Sequence, residues 1–462
     1  MDDPQGAAIA ELPGISLPED GGGQALAPEY QLVRQYIEQH RHKEAGDLLH
    51  DLLTRNPDDG RALYLLCRLL IDTDRPAIAH SVAEKLCDKD KSSAERWFIL
   101  GAVEACLQRP EVAIPALERA LSIKPELVEA WRVLSTCFVM AYDWESAERV
   151  ASKALELGGE HHMPRTALAF VHLHRREWQP GWQAYQSQMG RVKDRCLWNY
   201  GLPDWKGENG NLLVYAEQGL GDQLVYTSCL DGRLKQLVTH PKLENLLDRS
   251  LTGIEVYGDQ FTKDTDWAPK ADYQTSMSGA MQWLPVRPRG RWLIPHPDKV
   301  TQWRALMMKK SRGNNRPWVG LGWTGGKVGS HGWQTRNLTL QQLSAVLALP
   351  FNFVSLEYRV EIEPCERYGI HRWPWATQTN DLDDVAALIE CLDAVVCVPT
   401  TSYHLAGGLG KPAFVIVHDK PHFHEGTSGG CPWWESVEFY RRPDLGTDGA
   451  VEAVADRLKA YL

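Results

Sequence analysis

The chain has 462 residues, 43% of them hydrophobic and 24% charged, with 50 basic against 60 acidic side chains. That length allows two or three separately cored domains, and the net charge of −10 argues against a general affinity for nucleic acid or anionic membrane. No run approaches the roughly 18 apolar residues that span a bilayer, Met1-Asp2-Asp3-Pro4 does not begin a secretory signal, and ten scattered cysteines without a CxxC pair fit reduced thiols in the cytoplasm.

Residues 1–27, rich in Gly, Pro and acids, read as a flexible leader. A repeat begins after it. Pro57, Lys91, Pro125 and Gly159 lie 34 residues apart, each after an amphipathic helical stretch. On that period the seventh position holds Leu32, Leu66, Leu100, Leu134 and Leu168, the small eighth position Val33, Cys67, Gly101, Ser135 and Ala169, and the twentieth Ala45, Ala79, Ala113, Ala147 and Gly181. Large residues filling the space between antiparallel helices, and small ones letting backbones approach, explain the pattern. The stretch resembles tetratricopeptide repeats, about five of them over 28–190, and such an array implies a groove for a protein segment. A generic helical bundle is the bland alternative. Tryptophan, proline and glycine crowd together up to Trp205, so 191–211 reads as a packed joint that fixes the array against the C-terminal half.

From Leu212 the signals alternate. A strand over 212–216 runs into Glu217-Gln218-Gly219-Leu220-Gly221-Asp222, then a helix to about 238, a helix over 243–249 and a strand over 254–257. This first α/β domain, 212–305, looks abbreviated by a strand or two. The second, 306–462, has apolar strands at 318–323, 353–356, 394–398 and 413–417 with helical patterns over 339–348, 383–392 and 401–409, which implies a parallel sheet covered on both faces. Its strand-end loops carry Thr324, Gly325 and Lys327; Glu357; and Thr400, Thr401, Ser402 and His404. Hydroxyls and free N–H groups at a helix start suit a phosphate. Simple capping by Thr401 or Ser402, with His404 packed, fits that loop equally well.

Ala216–Asp222, Gly322–Gly325, Asp383–Ile389, Ser402–Pro412 and Cys431–Trp434, in this order after the repeats, carry a resemblance. The chain resembles bacterial tetratricopeptide-repeat glycosyltransferases related to the heptosyltransferases of glycosyltransferase family nine. A subset of these is similar to flagellin glycosyltransferases, in which the repeats hold the acceptor. The resemblance implies an all-α tetratricopeptide superhelix followed by an α/β pair of Rossmann-like domains of the GT-B type with a ligand cleft between them. It implies an inverting, metal-independent transfer from a nucleotide sugar to a protein hydroxyl, with no cofactor, flagellin being one acceptor it suggests. Asp222 would be the general base, with Gln218, Gly219 and Gly221 on the acceptor side. Lys327, His404, Thr324, Gly325, Thr400, Thr401, Ser402, Glu357 and Arg336 would face the donor and its phosphates. Asp381, Asp383 and Asp384 read as helix caps, and Glu217 as structural. One departure stands out: Pro399-Thr400 replaces the Asp-Thr pair of such enzymes, so the donor does not carry over. A non-catalytic scaffold with a degenerate enzyme domain, or a transferase acting on lipopolysaccharide or another glycan, remain the alternatives.

Overall fold

The computed structural model describes residues 28–73, 75–89, 91–189, 197–260, 266–325, 336–358, 362–379 and 381–462. Two compact units divide at His172 and Leu173. The expected leader 1–27 and Lys327 lie outside the described residues.

The first unit is helical: α1 Pro28–Glu38, α2 His42–Arg55, α3 Gly60–Asp72, α4 Pro76–Lys89, α5 Ala94–Cys106, α6 Pro110–Ile123, α7 Val128–Ala141, α8 Trp144–Gly158 and the start of α9, His162–His174. From α1 to α8 each helix packs on its sequence neighbour. Capping sets several starts: Asp59 accepts from the amides of Arg61 and Ala62, Ser93 from Arg96, and Asp143 from Ser146. The small positions of the repeat are steric requirements. A Cβ on Gly101 would stand 2.5 Å from Leu117 Cγ, and Ala79, Ala113 and Ala147 are fully buried. The repeated tryptophans tie the turns between repeats, Trp97 Nε1 donating to the Lys91 carbonyl at 3.0 Å and Trp131 Nε1 to the Pro125 carbonyl at 2.8 Å. The constant leucines are less deeply placed than expected. Leu134 is buried, but Leu66, Leu100 and Leu168 are half-buried and Leu32 is exposed, whereas the eighth position is buried in all five repeats.

The second unit begins with α10, Trp178–Tyr185. The 34-residue period assigns this helix to the end of the array, but Trp182 and Tyr185 are fully buried in the second unit, their rings against Phe423 and, for Trp182, Tyr226. Of the joint, Trp198, Tyr200 and Leu202 pack on Leu213, Tyr215 and Val238.

Four parallel strands, β1 Leu212–Tyr215, β2 Leu234–Val238, β3 Glu255–Tyr257 and β4 Tyr273–Ser276, form a sheet ordered β3-β2-β1-β4. Its helices are α11 Leu220–Cys229, α12 Pro241–Ser250 and the short α13 Met277–Ala280. This corrects the expected helix to 238. The helix ends at Cys229, Asp231 Oδ1 accepts from the Arg233 amide in a turn, and Leu234–Val238 is a buried strand. Its apolar residues continued the helical spacing, which hid it. β4 is polar, Tyr-Gln-Thr-Ser, and its buried Gln274 is satisfied by the Tyr200 amide and Asp204.

Helix α14, Pro297–Lys310, crosses the expected domain boundary at 305 and packs on α18, Leu382–Glu390. Between them come β5 Trp318–Gly322, α15 Ser344–Leu347, β6 Asn352–Ser355, α16 Ile362–Arg367 and α17 Pro374–Thr377; after α18 come β7 Ala394–Cys397, α19 Thr401–Gly408, β8 Ala413–Val417, β9 Val437–Arg441 and α20 Arg442–Leu458. The helix expected over 339–348 is only its last turn, α15. The second sheet is parallel and ordered β6-β5-β7-β8-β9. Its core joins Val319, Phe353, Val396 and Phe414 to Val451 and Leu458 of α20. In such an order ligands gather outside the carboxyl ends of the strands where the winding reverses, here between β5 and β7.

Candidate functional site

A cavity of about 370 Å³ lies at that reversal. Its wall includes Gly322 at the end of β5, Thr324 and Gly325 just after it, Glu357 after β6, and Pro399 to Ser402 at the β7–α19 junction, with Arg336. Seven sequence-predicted donor residues, Thr324, Gly325, Arg336, Glu357, Thr400, Thr401 and Ser402, therefore meet on one surface. The size is within the range of small-molecule sites.

Local bonding fixes these loops. Glu357, 5% exposed, accepts from the Thr324 amide at 2.6 Å and from its hydroxyl. Burial pushes its carboxyl pKa up, and the Thr324 bonds oppose that rise. Glu357 is thus a brace for the β5 loop as well as part of the wall. Gly325 donates its amide to Asn337 Oδ1 at 2.8 Å, and a Cβ there would stand 2.8 Å from Thr400 Cγ2 and 3.1 Å from Arg336 Cδ. Helix α19 starts at Thr401 from an extended Thr400 whose hydroxyl does not cap it, so its first turn faces the cavity with Thr400, Thr401 and Ser402.

His404 is not brought to this wall. It is 5% exposed, and Trp434 Nε1 donates to its Nδ1 at 3.1 Å. An indole N–H only donates, so Nδ1 is the acceptor and a neutral ring carries its proton on Nε2. Burial, then neighbouring His424, holds its pKa well below the usual imidazole range. A neutral, enclosed imidazole is a poor counter-charge for a diphosphate. Its work is in packing, since a Cβ on Gly221 would stand 3.0 Å from His404 Cδ2. That close approach lets α11 lie against α19.

The loop after β1 is closed by its own partners. Glu217, 4% exposed, accepts from the amides of Met277 and Ser278 and so caps α13. Gln218 donates to Tyr185 Oη at 3.0 Å, while its carbonyl accepts from Gln223 and Gln260. Gly219 is the cap residue of α11 and donates its amide to Asp222 Oδ2 at 3.1 Å. The other carboxylate oxygen, Oδ1, lies 2.6 Å from His424 Nε2. The Asp222 side chain is 14% exposed and stands outside the cavity lining, which the same turn enters only through Leu220.

Sequence reasoning missed His424. Its segment has no strand or helix period, although three histidines, His418, His422 and His424, fall within seven residues just before Cys431–Trp434. Tertiary bonds hold it. Arg441 donates to the carbonyls of Glu425, Gly426, Ser428 and Gly429, Tyr403 Oη donates to Glu425 Oε1 at 2.6 Å, and Trp433 Nε1 donates to the His424 carbonyl. The acids beyond the cavity are structural: Asp381 caps α18, and Asp383 accepts from both terminal nitrogens of Arg249 and from the His296 amide. Lys242 in the first turn of α12 and its cap residue His240, both on the wall, were also unmarked by any motif.

Comparison with known proteins bears on the repeats. Residues 36–100 match a tetratricopeptide repeat family. Protein FlbA of Caulobacter vibrioides, whose name states no activity, is 25% identical over 431 residues, covering 84% of this chain and 71% of its own. Among solved structures, Pseudomonas aeruginosa PilF is 20% identical over 34% of this chain and 72% of its own, with a TM-score of 0.31. A thermophilic tetratricopeptide protein of Thermus thermophilus is 20% identical over 36% and 90%, with a TM-score of 0.32. Likenesses of that size carry no argument about function. Among the described residues no helix is long and apolar enough to cross a membrane. The tetratricopeptide match over residues 36–100 thus lies within a helical array that precedes a region of parallel sheets.

Proposed function

We propose that the chain transfers a sugar from a nucleotide-sugar donor to a hydroxyl of an acceptor protein held by its repeats, without a metal ion and with inversion. The observation that carries this reading is the convergence of Thr324, Gly325, Glu357, Arg336 and Thr400–Ser402 on one cavity at the winding reversal of a parallel sheet. Hydroxyls, a helix start and a guanidinium are groups that bind a diphosphate. In this reading Asp222 takes the acceptor proton while its His424 bond fixes the carboxylate. The acceptor oxygen bonds to the anomeric carbon as the carbon–phosphate oxygen bond breaks, and the nucleoside diphosphate leaves with the electron pair. Repeat arrays bind partner proteins, which supports recruitment of the acceptor. Flagellin is the acceptor suggested by the resemblance.

The test is intact-mass spectrometry of flagellin and other candidate acceptors from wild-type cells and cells lacking this chain. A mass difference equal to a sugar is expected, and identical masses would sink the transferase reading. A second reading, a non-catalytic scaffold, is favoured by one observation: Asp222 stands outside the cavity lining with both oxygens engaged. Calorimetry with UDP-, CMP-, ADP- and GDP-sugars separates the two, because a scaffold binds none of them.

A further inference from the structure

We infer that the cavity binds the diphosphate of its nucleotide with cations from beside both sheets, Lys242 from α12, which follows β2 of the first, and Arg336 from the segment that follows β5 of the second. The inference rests on the proposed nucleotide binding and adds a residue to it. Lys242 lies on the cavity wall beside His240, with Leu220 completing the first sheet's share. It stands in the first turn of α12, at the carboxyl end of β2, the edge of a parallel sheet where ligands collect.

Helix α12 is fixed at several points, so Lys242 has a defined base. The His240 amide donates to Gln223 Oε1 at 3.0 Å, Asn245 Nδ2 to Asp381 Oδ2 at 3.0 Å, and Arg249 Nη2 to Asp383 Oδ2 at 2.7 Å. The last two bonds hold α12 to α18, whose Leu382 and Val385 line the same cavity. Among the described residues neither Lys242 nor Arg336 forms an ion pair. Among the described residues the wall has a single carboxylate, Glu357, and that group is occupied by Thr324. His240 spends its Nδ1 on the Lys242 amide, and burial followed by the Lys242 charge holds its pKa down, so it does not add a third cation. Two cations against one engaged acid make a polyanion the fitting occupant. An ammonium acts on phosphate as a point charge without directional demands, which suits a contribution from the second wall. Leu356, Leu382, Val385 and Leu405 supply apolar surface for the rest of a nucleotide.

Calorimetry on the full chain tests this, with UDP, GDP, ADP and CDP, the four parent nucleosides, and inorganic pyrophosphate as probes. Lys242→Met is expected to weaken every diphosphate that binds by about tenfold or more, the scale of one charge-assisted hydrogen bond. Lys242→Arg should restore most of the affinity, and nucleoside binding should not change. Thermal melts of both variants check that the fold is kept. Equal diphosphate affinity in wild type and Lys242→Met overturns the inference and leaves the nucleotide reading standing. Absence of binding by any nucleotide or pyrophosphate to the wild type overturns both. Pyrophosphate binding that depends on Lys242, without any nucleotide binding, supports the two-sided anion site and overturns its nucleotide occupant.

Discussion

The loop after β1 and the loops after β5 and β7 hold corresponding places at the carboxyl ends of two parallel sheets, yet their polar groups are used in opposite ways. In the first, Glu217 caps α13, Gln218 is held by Tyr185, Gln223 and Gln260, and Asp222 is shared between Gly219 and His424. In the second pair, Glu357 and Asn337 brace Thr324 and Gly325 from behind, and the hydroxyl loop Thr400–Ser402 faces a cavity of about 370 Å³. A strand-end loop therefore does not announce its use by glycine content alone. What matters is whether the fold consumes its donors and acceptors internally or leaves them facing open volume.

The largest effect tests whether the closed loop has a chemical role. Asp222→Asn keeps the shape and the Gly219 contact, so under the proposed transfer it should lower the rate about a hundredfold to ten-thousandfold, the usual value of a positioned base, with little change in the melting curve. Unchanged transfer would reduce Asp222 to a helix cap. The next test asks whether that loop is held as rigidly as its bonds suggest. Gln223→Leu removes the acceptor of Thr239 Oγ1 and the His240 amide and the donor to Gln218 and Gln260. Each buried group left unpaired costs about 1–3 kcal/mol, which urea unfolding of the full chain would show as a lowered midpoint.

For the open loop, Gly325→Val places a side chain against Thr400 and Arg336 at the cavity wall. We expect nucleotide binding to fall by about tenfold or more by calorimetry, since losing one charge-assisted contact is already on that scale, with a small loss of stability. A variant binding as well as wild type would mean that the ligand does not use this wall. The last test is a pH dependence. Burial, then Arg336 and Arg442, pushes the His418 pKa down to about 3 from its ordinary 6.5. The unfolded chain takes up this proton below pH 6.5 and the folded chain does not, so stability present at pH 7 declines progressively from pH 6.5 toward pH 3. His404 adds a contribution of the same sign. Urea midpoints measured from pH 7 to pH 4 should fall, and His418→Asn should flatten the decline.

The 34-residue period was legible because each repeat meets the same neighbours, so Gly101 and Ala113 answer to the same steric demand as their counterparts. The strands β5 to β8 of the second sheet were legible because burial on both faces leaves continuous apolar runs, whereas β9, Val437–Arg441, was not, its three central residues being only half-buried. β2 was hidden by apolar spacing that matched the preceding helix, and β4 by its polar residues, which Tyr200 and Asp204 satisfy from outside the strand. His424 had no pattern to reveal it, because Arg441, Tyr403 and Trp433 hold its segment in place of a helix or strand period.

Sequence alone determined the 34-residue helical repeat, the strands β1, β3 and β5 to β8, and the loops that carry polar side chains, because periodicity and composition act over neighbouring residues. Tertiary structure decided which of those side chains face the cavity. His404 lost that role to Trp434 and Gly221, Asp222 gained His424, and Lys242 arrived on the cavity wall through α12. Burial and hydrogen bonding between residues far apart in the chain settle these outcomes, and neither is written in local pattern.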